Sequence, residues 1–128
     1  MQSTPEQRRQ ANELGTTGEQ MATRYLEGLH YTIIERNYRC GKYEADIIAL
    51  DGDELVVVEV KTRSSTDFGT PQEAVDHRKR ARLIRAASHY IGTHNRQENT
   101  RFDVVAIVPG EGGFSINHIK DAFNVMNY

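Results

Sequence analysis

The stretch from Tyr43 to Lys61 constrains this chain most. It reads Tyr-Glu-Ala-Asp-Ile-Ile-Ala-Leu, then Asp-Gly-Asp-Glu, then Leu-Val-Val-Val-Glu-Val-Lys. Two apolar, β-branched-rich runs around an Asp-Gly-Asp turn signal predict a β-hairpin. Near the turn both faces of both strands are apolar, through Ile47, Ile48, Ala49 and Leu50 on one and Leu55, Val56, Val57 and Val58 on the other. At the far end four charges appear: Glu44, Asp46, Glu59 and Lys61.

Side chains alternate along a strand, so Glu44 shares a face with Asp46, and Glu59 with Lys61. Loop parity decides whether the two pairs share one face. A two-residue loop, Gly52-Asp53, sets Asp46 across from Glu59 and Lys61 across from Glu44, with Cβ atoms about 5 Å apart. A three-residue loop throws them onto opposite faces. Facing carboxylates repel, and a bound divalent cation offsets that: hard cations such as Mg²⁺ take carboxylate oxygens together with substrate phosphate. A lysine beside such an ion can position a water or stabilise phosphate charge. The same charges also read as a solvated strand end with a Glu44–Lys61 ion pair.

At 128 residues the chain fits one domain, 1–128, with residues 1–15 as a helical extension. No apolar run is long enough for a membrane span. The N-terminus lacks the apolar core of a signal peptide, so a cytoplasmic location and no membrane partner are expected. A single cysteine, Cys40, excludes an internal disulfide and a Cys-rich zinc site; it reads as an inert strand-end residue. The five histidines show no metal-ligand spacing. Net charge is −2, which does not mark a nucleic-acid binder. Its distribution is uneven, with seven Lys/Arg against three acids from Lys61 to Arg85. That excess fits a phosphate-facing patch or a solvated helix face.

Thr4-Pro5-Glu6-Gln7 is a helix start, and Thr16-Thr17-Gly18-Glu19 is a second capping-box pattern. Either a short helix ends near Gly15 and another begins, or one helix continues through, ending at Gly28 or His30. Glu19 accordingly reads as a capping residue or as a site residue. Tyr31 to Arg39 is a first strand, turned by Cys40-Gly41-Lys42 into the hairpin. Residues Thr62 to Gly69 form a polar loop in which Arg63, Ser64 and Ser65 either contact phosphates or merely connect. Thr70-Pro71-Gln72-Glu73 opens a long helix to about Ile91, stopped by Gly92. Its stripe is Ala74, Ala81, Ile84, Ala87, Ser88 and Ile91. A helix between two strands is a crossover, so the strand Arg101 to Val108, stopped by Pro109, is expected to lie parallel to the Glu59 strand. Asp103 on it reads as a structural group. Phe114 to Ile119 alternates as an edge strand, and Asp121 to Val125 adds a short helix.

The order helix–strand–strand–strand–helix–strand, with an acid on the first helix, Asp46 on the second strand and Glu59-x-Lys61 on the third, resembles the PD-(D/E)xK nuclease superfamily. More specifically, Gly18-Glu19, Arg36-Asn37-Tyr38-Arg39, Glu44-x-Asp46, Val58-Glu59-Val60-Lys61-Thr62-Arg63, Phe68-Gly69, Glu73-Ala74-Val75 and Arg101-Phe102-Asp103-Val104-Val105 resemble the bacterial YraN-like family, which is similar to archaeal Holliday-junction resolvases. The resemblance covers roughly residues 15 to 125. It departs at Tyr43, where the family usually has glycine, which bears on backbone approach near the site.

The resemblance implies a restriction-endonuclease-like α/β fold: a mixed sheet of about five strands, in the order helix-strand-strand-strand-helix-strand-strand, flanked by helices. It implies hydrolysis of DNA phosphodiester bonds with Mg²⁺ or Mn²⁺. Asp46 and Glu59 would bind the metal, Glu19 would complete the acidic site, with the Val60 carbonyl as a further ligand, and Lys61 would be the catalytic lysine. Arg63, Ser64, Arg78, Lys79 and Arg82 would contact the DNA backbone. Resolvases act as dimers on branched DNA, so a homodimer is part of the expectation. The rivals are a nucleic-acid-binding module that does not cut and a protein-interaction domain, since a fold does not fix a function.

Overall fold

The computed structural model describes residues 5–62, 76–110 and 112–123. Its elements run α1 (Pro5–Gly28), β1 (Thr32–Cys40), β2 (Tyr43–Asp51), β3 (Glu54–Thr62), α2 (His77–His94), β4 (Asn99–Gly110) and β5 (Gly113–Ile119). The five strands form one sheet in sequence order. The β1–β2, β2–β3 and β4–β5 pairs are antiparallel. The β3–β4 pair, joined through α2, is parallel. This is the expected mixed α/β order.

Loop parity is even. Asp51 pairs with Glu54 across Gly52-Asp53, and Cys40 pairs with Tyr43 across Gly41-Lys42. Gly41 and Gly52 both have φ +61, the value that a type II′ hairpin turn requires at its first central residue and that only glycine adopts freely.

A helix covers each sheet face. On one side Leu83, Ala86, Ala87 and Tyr90 of α2 pack against Ile48, Leu55, Val57, Phe102 and Val104. On the other, Ala22 and Leu26 of α1 pack against Ile47, Ala49, Val56, Val58, Val105 and Ile107. Leu55 to Val58 can therefore be apolar without interruption, because side chains on both faces of β3 leave water. Each such residue contributes about 1.5–3 kcal/mol.

Helix α1 is one continuous element across Gly15 and Gly18, so Thr16 opens no second helix and Glu19 is released from capping. Gly18 is where α1 touches the sheet: a Cβ there would lie 2.2 Å from Oγ1 of Thr62, at the end of β3.

Several expected boundaries move. The expected capping box at Thr70 lies outside the described residues. Helix α2 is instead capped by Asp76, which is extended (φ −71, ψ 174) and accepts the Lys79 N–H at 2.9 Å. A helix unbroken from Pro71 is thus excluded. The helix also passes Gly92 and ends at Asn95, whose left-handed backbone (φ 54, ψ 41) returns an N–H to the Ile91 carbonyl. Asparagine tolerates that conformation nearly as well as glycine. Its buried stripe is carried by Leu83, Ala86, Ala87 and Tyr90, while Ser88 is exposed. Strand β4 continues through Pro109. Pairing with β3 has already ended at Thr62–Ile107, so the missing proline N–H removes no bond on that side. Residues 120–123 turn rather than form a helix, and the Ala122 N–H reaches the Phe102 carbonyl at 2.7 Å.

A buried ionic network ties β4 to its neighbours on the α1 side. Asp103, 1 % exposed, accepts from Arg101 Nε at 2.9 Å, from His118 Nε2 at 2.7 Å and from the Asp121 N–H at 3.1 Å. Arg101 continues to Asp51, Glu54 and the Tyr31 hydroxyl, at 3.0, 3.0 and 2.6 Å. Burial opposes the Asp103 charge, but the His118 and Arg101 hydrogen bonds more than offset it and hold the carboxyl below the usual range.

Three substitutions test this packing. In an ordinary helix Gly→Ala gains up to about 1 kcal/mol, but Gly18→Ala should destabilise by about 1–3 kcal/mol through overpacking. Thr62→Ala in the same chain should restore most of the loss in chemical denaturation. Asp103→Ala takes the buried acceptor from Arg101 Nε, His118 and the Asp121 N–H together, and should cost about 3–5 kcal/mol, the range for breaking a buried pair.

Candidate active site

The β2–β3 ladder stops at Ile47–Val58. Beyond it the strands part, and the Asp46 side chain takes over as backbone acceptor: its Oδ2 receives the Val60 N–H at 2.8 Å. Strand β2 also turns over at this point. Ile47 belongs to the α1-side core and Ala45 to the α2-side core, although residues two apart share a face in a regular strand. The neighbouring strand breaks opposite it. Asn37, between the paired residues Arg36 and Tyr38, has φ +54. Asp46 therefore sits on the seam between the two faces.

Charged groups reach that seam from both sides. Glu19 comes from α1, its charge interacting with Asp46 and its carboxylate held by Asn37. The Asn37 amide, oriented to suit its neighbours, donates to Glu19 Oε2 at 2.9 Å and Oε1 at 3.2 Å. From the α2 side comes Glu59, 4 % exposed, within hydrogen-bonding reach of Asp46. Lys79, in the first turn of α2, places Nζ 2.6 Å from Glu59 Oε1. Lys61 Nζ lies 3.8 Å from the same oxygen and within hydrogen-bonding reach of Lys79. The α2 N-terminus adds the positive end of its dipole.

Burial is the largest influence on all three acids. It raises Glu59, which the Asp46 charge pushes further, to about 7 despite the opposing lysines. It raises Asp46 against the partial offset of the Val60 N–H. It raises Glu19, with the Asp46 charge acting the same way. Lys61 falls below the ordinary lysine range, through burial and then through Lys79. Burial is the largest influence on Lys79 and lowers it, but the Glu59 hydrogen bond together with the Glu59 and Asp46 charges raises it overall. The seam is thus rich in carboxylate oxygen and short of positive charge.

The expected Glu44–Lys61 pair does not form. Glu44 is exposed and meets Arg39 at 3.4 Å, because β2 and β3 have separated before that register is reached. Arg78 and Arg82 are exposed on α2, whereas Lys79, expected beside them, turns inward onto Glu59. Arg63 and Ser64 lie outside the described residues. Tyr43, the departure from the family pattern, packs on the α2-side core with Lys42 over its ring. Sequence reasoning assigned no role to Asn37, whose signal was only its place in Arg36-Asn37-Tyr38-Arg39, nor to Asp76, a plain N-cap residue type. Among the described residues no group of three or more His, Cys, Asp or Glu side chains is placed to hold a metal ion. The oxygens of Glu19, Asp46 and Glu59 are engaged by Asn37, Val60 and Lys79 instead. Among the described residues no helix is long and apolar enough to cross a membrane.

Comparison with known proteins places the chain. Residues 18–107 match Uncharacterised protein family UPF0102. That span holds Glu19, Asp46, Glu59, Lys61 and Lys79. A UPF0102 protein of Christiangramia forsetii is 45 % identical over 112 residues, covering 88 % of this chain and 94 % of its own. One of Bacteroides thetaiotaomicron is 48 % identical, covering 88 % and 93 %. One of Geotalea daltonii is 48 % identical over 114 residues, covering 88 % and 90 %. With the matched span running from the α1 glycine through most of β4, the chain belongs to the UPF0102 family.

Proposed function

We propose that the protein is a metal-dependent endonuclease that hydrolyses DNA phosphodiester bonds, with branched DNA of the Holliday-junction type as a candidate substrate. The observation that carries this reading is the convergence of Glu19, Asp46 and Glu59, from one helix and two parting strands, on a seam that also holds Lys61 and Lys79.

The donor set fits the metal. It offers carboxylate oxygen and no sulfur or imidazole, which suits Mg²⁺ or Mn²⁺. Three acids whose charged forms are disfavoured by burial and by one another gain most from a small divalent cation. Asp46 and Glu59 would hold it, with Glu19 completing the set. When bound, it polarises the phosphate and activates water. Lys61, pulled below its usual range, holds the attacking water and balances charge beside the scissile phosphate. Arg78 and Arg82, exposed on a helix with five Lys/Arg and no acid, supply backbone contacts that carry no sequence information. Placement in the cytoplasm belongs to the same reading.

Cleavage of linear and four-way-branched DNA with Mg²⁺ or Mn²⁺ tests it. Asp46→Asn, Glu59→Gln and Lys61→Ala should each lower the rate by roughly 10²–10⁴-fold, the range for a lost acid–base group, and a chelator should abolish it. Cutting that survives both Asp46→Asn and Lys61→Ala would overturn the assignment. DNA retained at low salt but never cut would identify a binding module instead.

The electrostatics predict a second outcome. Glu59 binds its proton more tightly in the folded chain, up to about 7, than at its ordinary 4.5. Between those values the folded state holds more protons, so stability must fall as pH rises. The metal-free protein should lose thermal stability from about pH 5 to pH 7. Mn²⁺ should flatten that slope, and Glu59→Gln should remove most of it.

A further inference from the structure

A buried carboxylate pair needs compensation even before a metal arrives, and the chain supplies it asymmetrically. Lys61, in the Glu-x-Lys pattern, is the more distant cation at 3.8 Å from Glu59. Lys79 is in contact at 2.6 Å. Its backbone is fixed by the Asp76 cap, which accepts its N–H at 2.9 Å, so only the side chain is free to move. That side chain is 41 % exposed and borders a cavity of about 120 Å³ shared with Lys42, Glu44, Arg82 and Leu83.

Charge balance separates the roles of the two lysines. Glu19, Asp46 and Glu59 carry three negative charges when ionised. One divalent cation together with Lys61 neutralises them, which leaves Lys79 in surplus. A carboxylate oxygen that faces an ammonium at 2.6 Å also cannot give the same lone pair to a metal. We propose that Lys79 is a resident counter-ion of Glu59 that divalent metal displaces, and that it then turns into the cavity beside Lys42 and Arg82 to meet a substrate phosphate. The cavity suits that landing, with two further cations against the single carboxylate of Glu44. Metal loading thereby exposes a phosphate contact that is masked in the metal-free chain, which couples the two binding events. This role rests on the nuclease reading above and goes beyond the backbone-contact role expected of Lys79.

Calorimetric titration of Mn²⁺ into the full chain, without DNA, separates the two readings. Lys79→Met removes the competitor and should tighten Mn²⁺ binding at least about fivefold, the lower end of usual coupling between linked events. The same variant should weaken DNA binding in the presence of Ca²⁺. Because Lys79→Met leaves Glu59 with only the more distant Lys61 and endangers folding, a second measurement uses the unaltered protein. The rate at which an amine-reactive label modifies Lys79, read by peptide mass spectrometry, should rise when Mn²⁺ is added. Mn²⁺ binding of equal or lower affinity in Lys79→Met, or a labelling rate indifferent to Mn²⁺, overturns the displacement while leaving the nuclease reading intact. Absence of Mn²⁺ binding in the unaltered protein overturns both.

Discussion

The fold depends on where one antiparallel ladder is allowed to end. Up to Ile47 and Val58, β2 and β3 exchange backbone hydrogen bonds in a fully apolar setting. One step later Asp46 offers a side-chain oxygen to the Val60 N–H. A buried N–H left without an acceptor would cost about 1–3 kcal/mol, and the carboxylate removes that cost while freeing the strands to diverge. The divergence makes room for charge at the end of a β2–β3 ladder whose neighbouring pairs, from Ile47–Val58 to Leu50–Leu55, are apolar. An ordinary strand residue at 46 would have to choose between continuing the ladder and leaving Val60 unsatisfied.

The remaining elements then act as positioners for that gap. Helix α1 approaches β3 closely because Gly18 has no side chain to meet Thr62, and the next residue along is Glu19. Asn37, in a conformation that few residue types tolerate, breaks β1 opposite Asp46 and donates to Glu19. Helix α2 begins at Asp76, so its first turn delivers Lys79 onto Glu59. Away from the gap, the Arg101–Asp103–His118 network fixes β4 against β5 and the β2–β3 turn. In that network one guanidinium faces three carboxylates and His118 backs Asp103, so each group has a direct partner and the cluster works as a clamp. At the seam, burial and the Asp46 charge still raise Glu59 to about 7 although two lysines face it.

What the sequence disclosed follows periodicity and parity. The alternation of Glu44, Asp46, Glu59 and Lys61, once Gly52-Asp53 is taken as the loop, leads to the observed register between Asp51 and Glu54. The crossover rule led to the parallel β3–β4 pair. Features set by tertiary contact stayed hidden. The Asp76 cap of α2 was not legible, because an isolated Asp before a basic run carries little local signal of a helix start. Lys79 and Arg78 are adjacent cations in the same basic run, and only the placement of α2 over β2 and β3 turns one inward and the other out. The Glu44–Lys61 pairing followed correctly from strand geometry but failed because the strands separate. No alternation rule encodes that event. Glu19 was ambiguous for a related reason: whether a Thr-Thr-Gly-Glu sequence caps a helix or runs through one depends on whether the preceding turn is already helical.

The energetics of the seam give a reason for the chain to keep it. A carboxylate pair at the ends of two central strands, with a third acid from α1, works against folding, and apolar residues of similar size would stabilise the same positions. Lys79 repairs part of the deficit at Glu59, but burial and the Asp46 charge together still disfavour the charged form of that acid more than both lysines favour it. Lys61 and Lys79 both face the same oxygen of Glu59, so neither ion pair accounts for Asp46 or Glu19. The divalent ion proposed above would share oxygens from more than one of these elements, and it would bind the folded chain and not the unfolded one. Its binding free energy would then add to stability where the apolar core is interrupted.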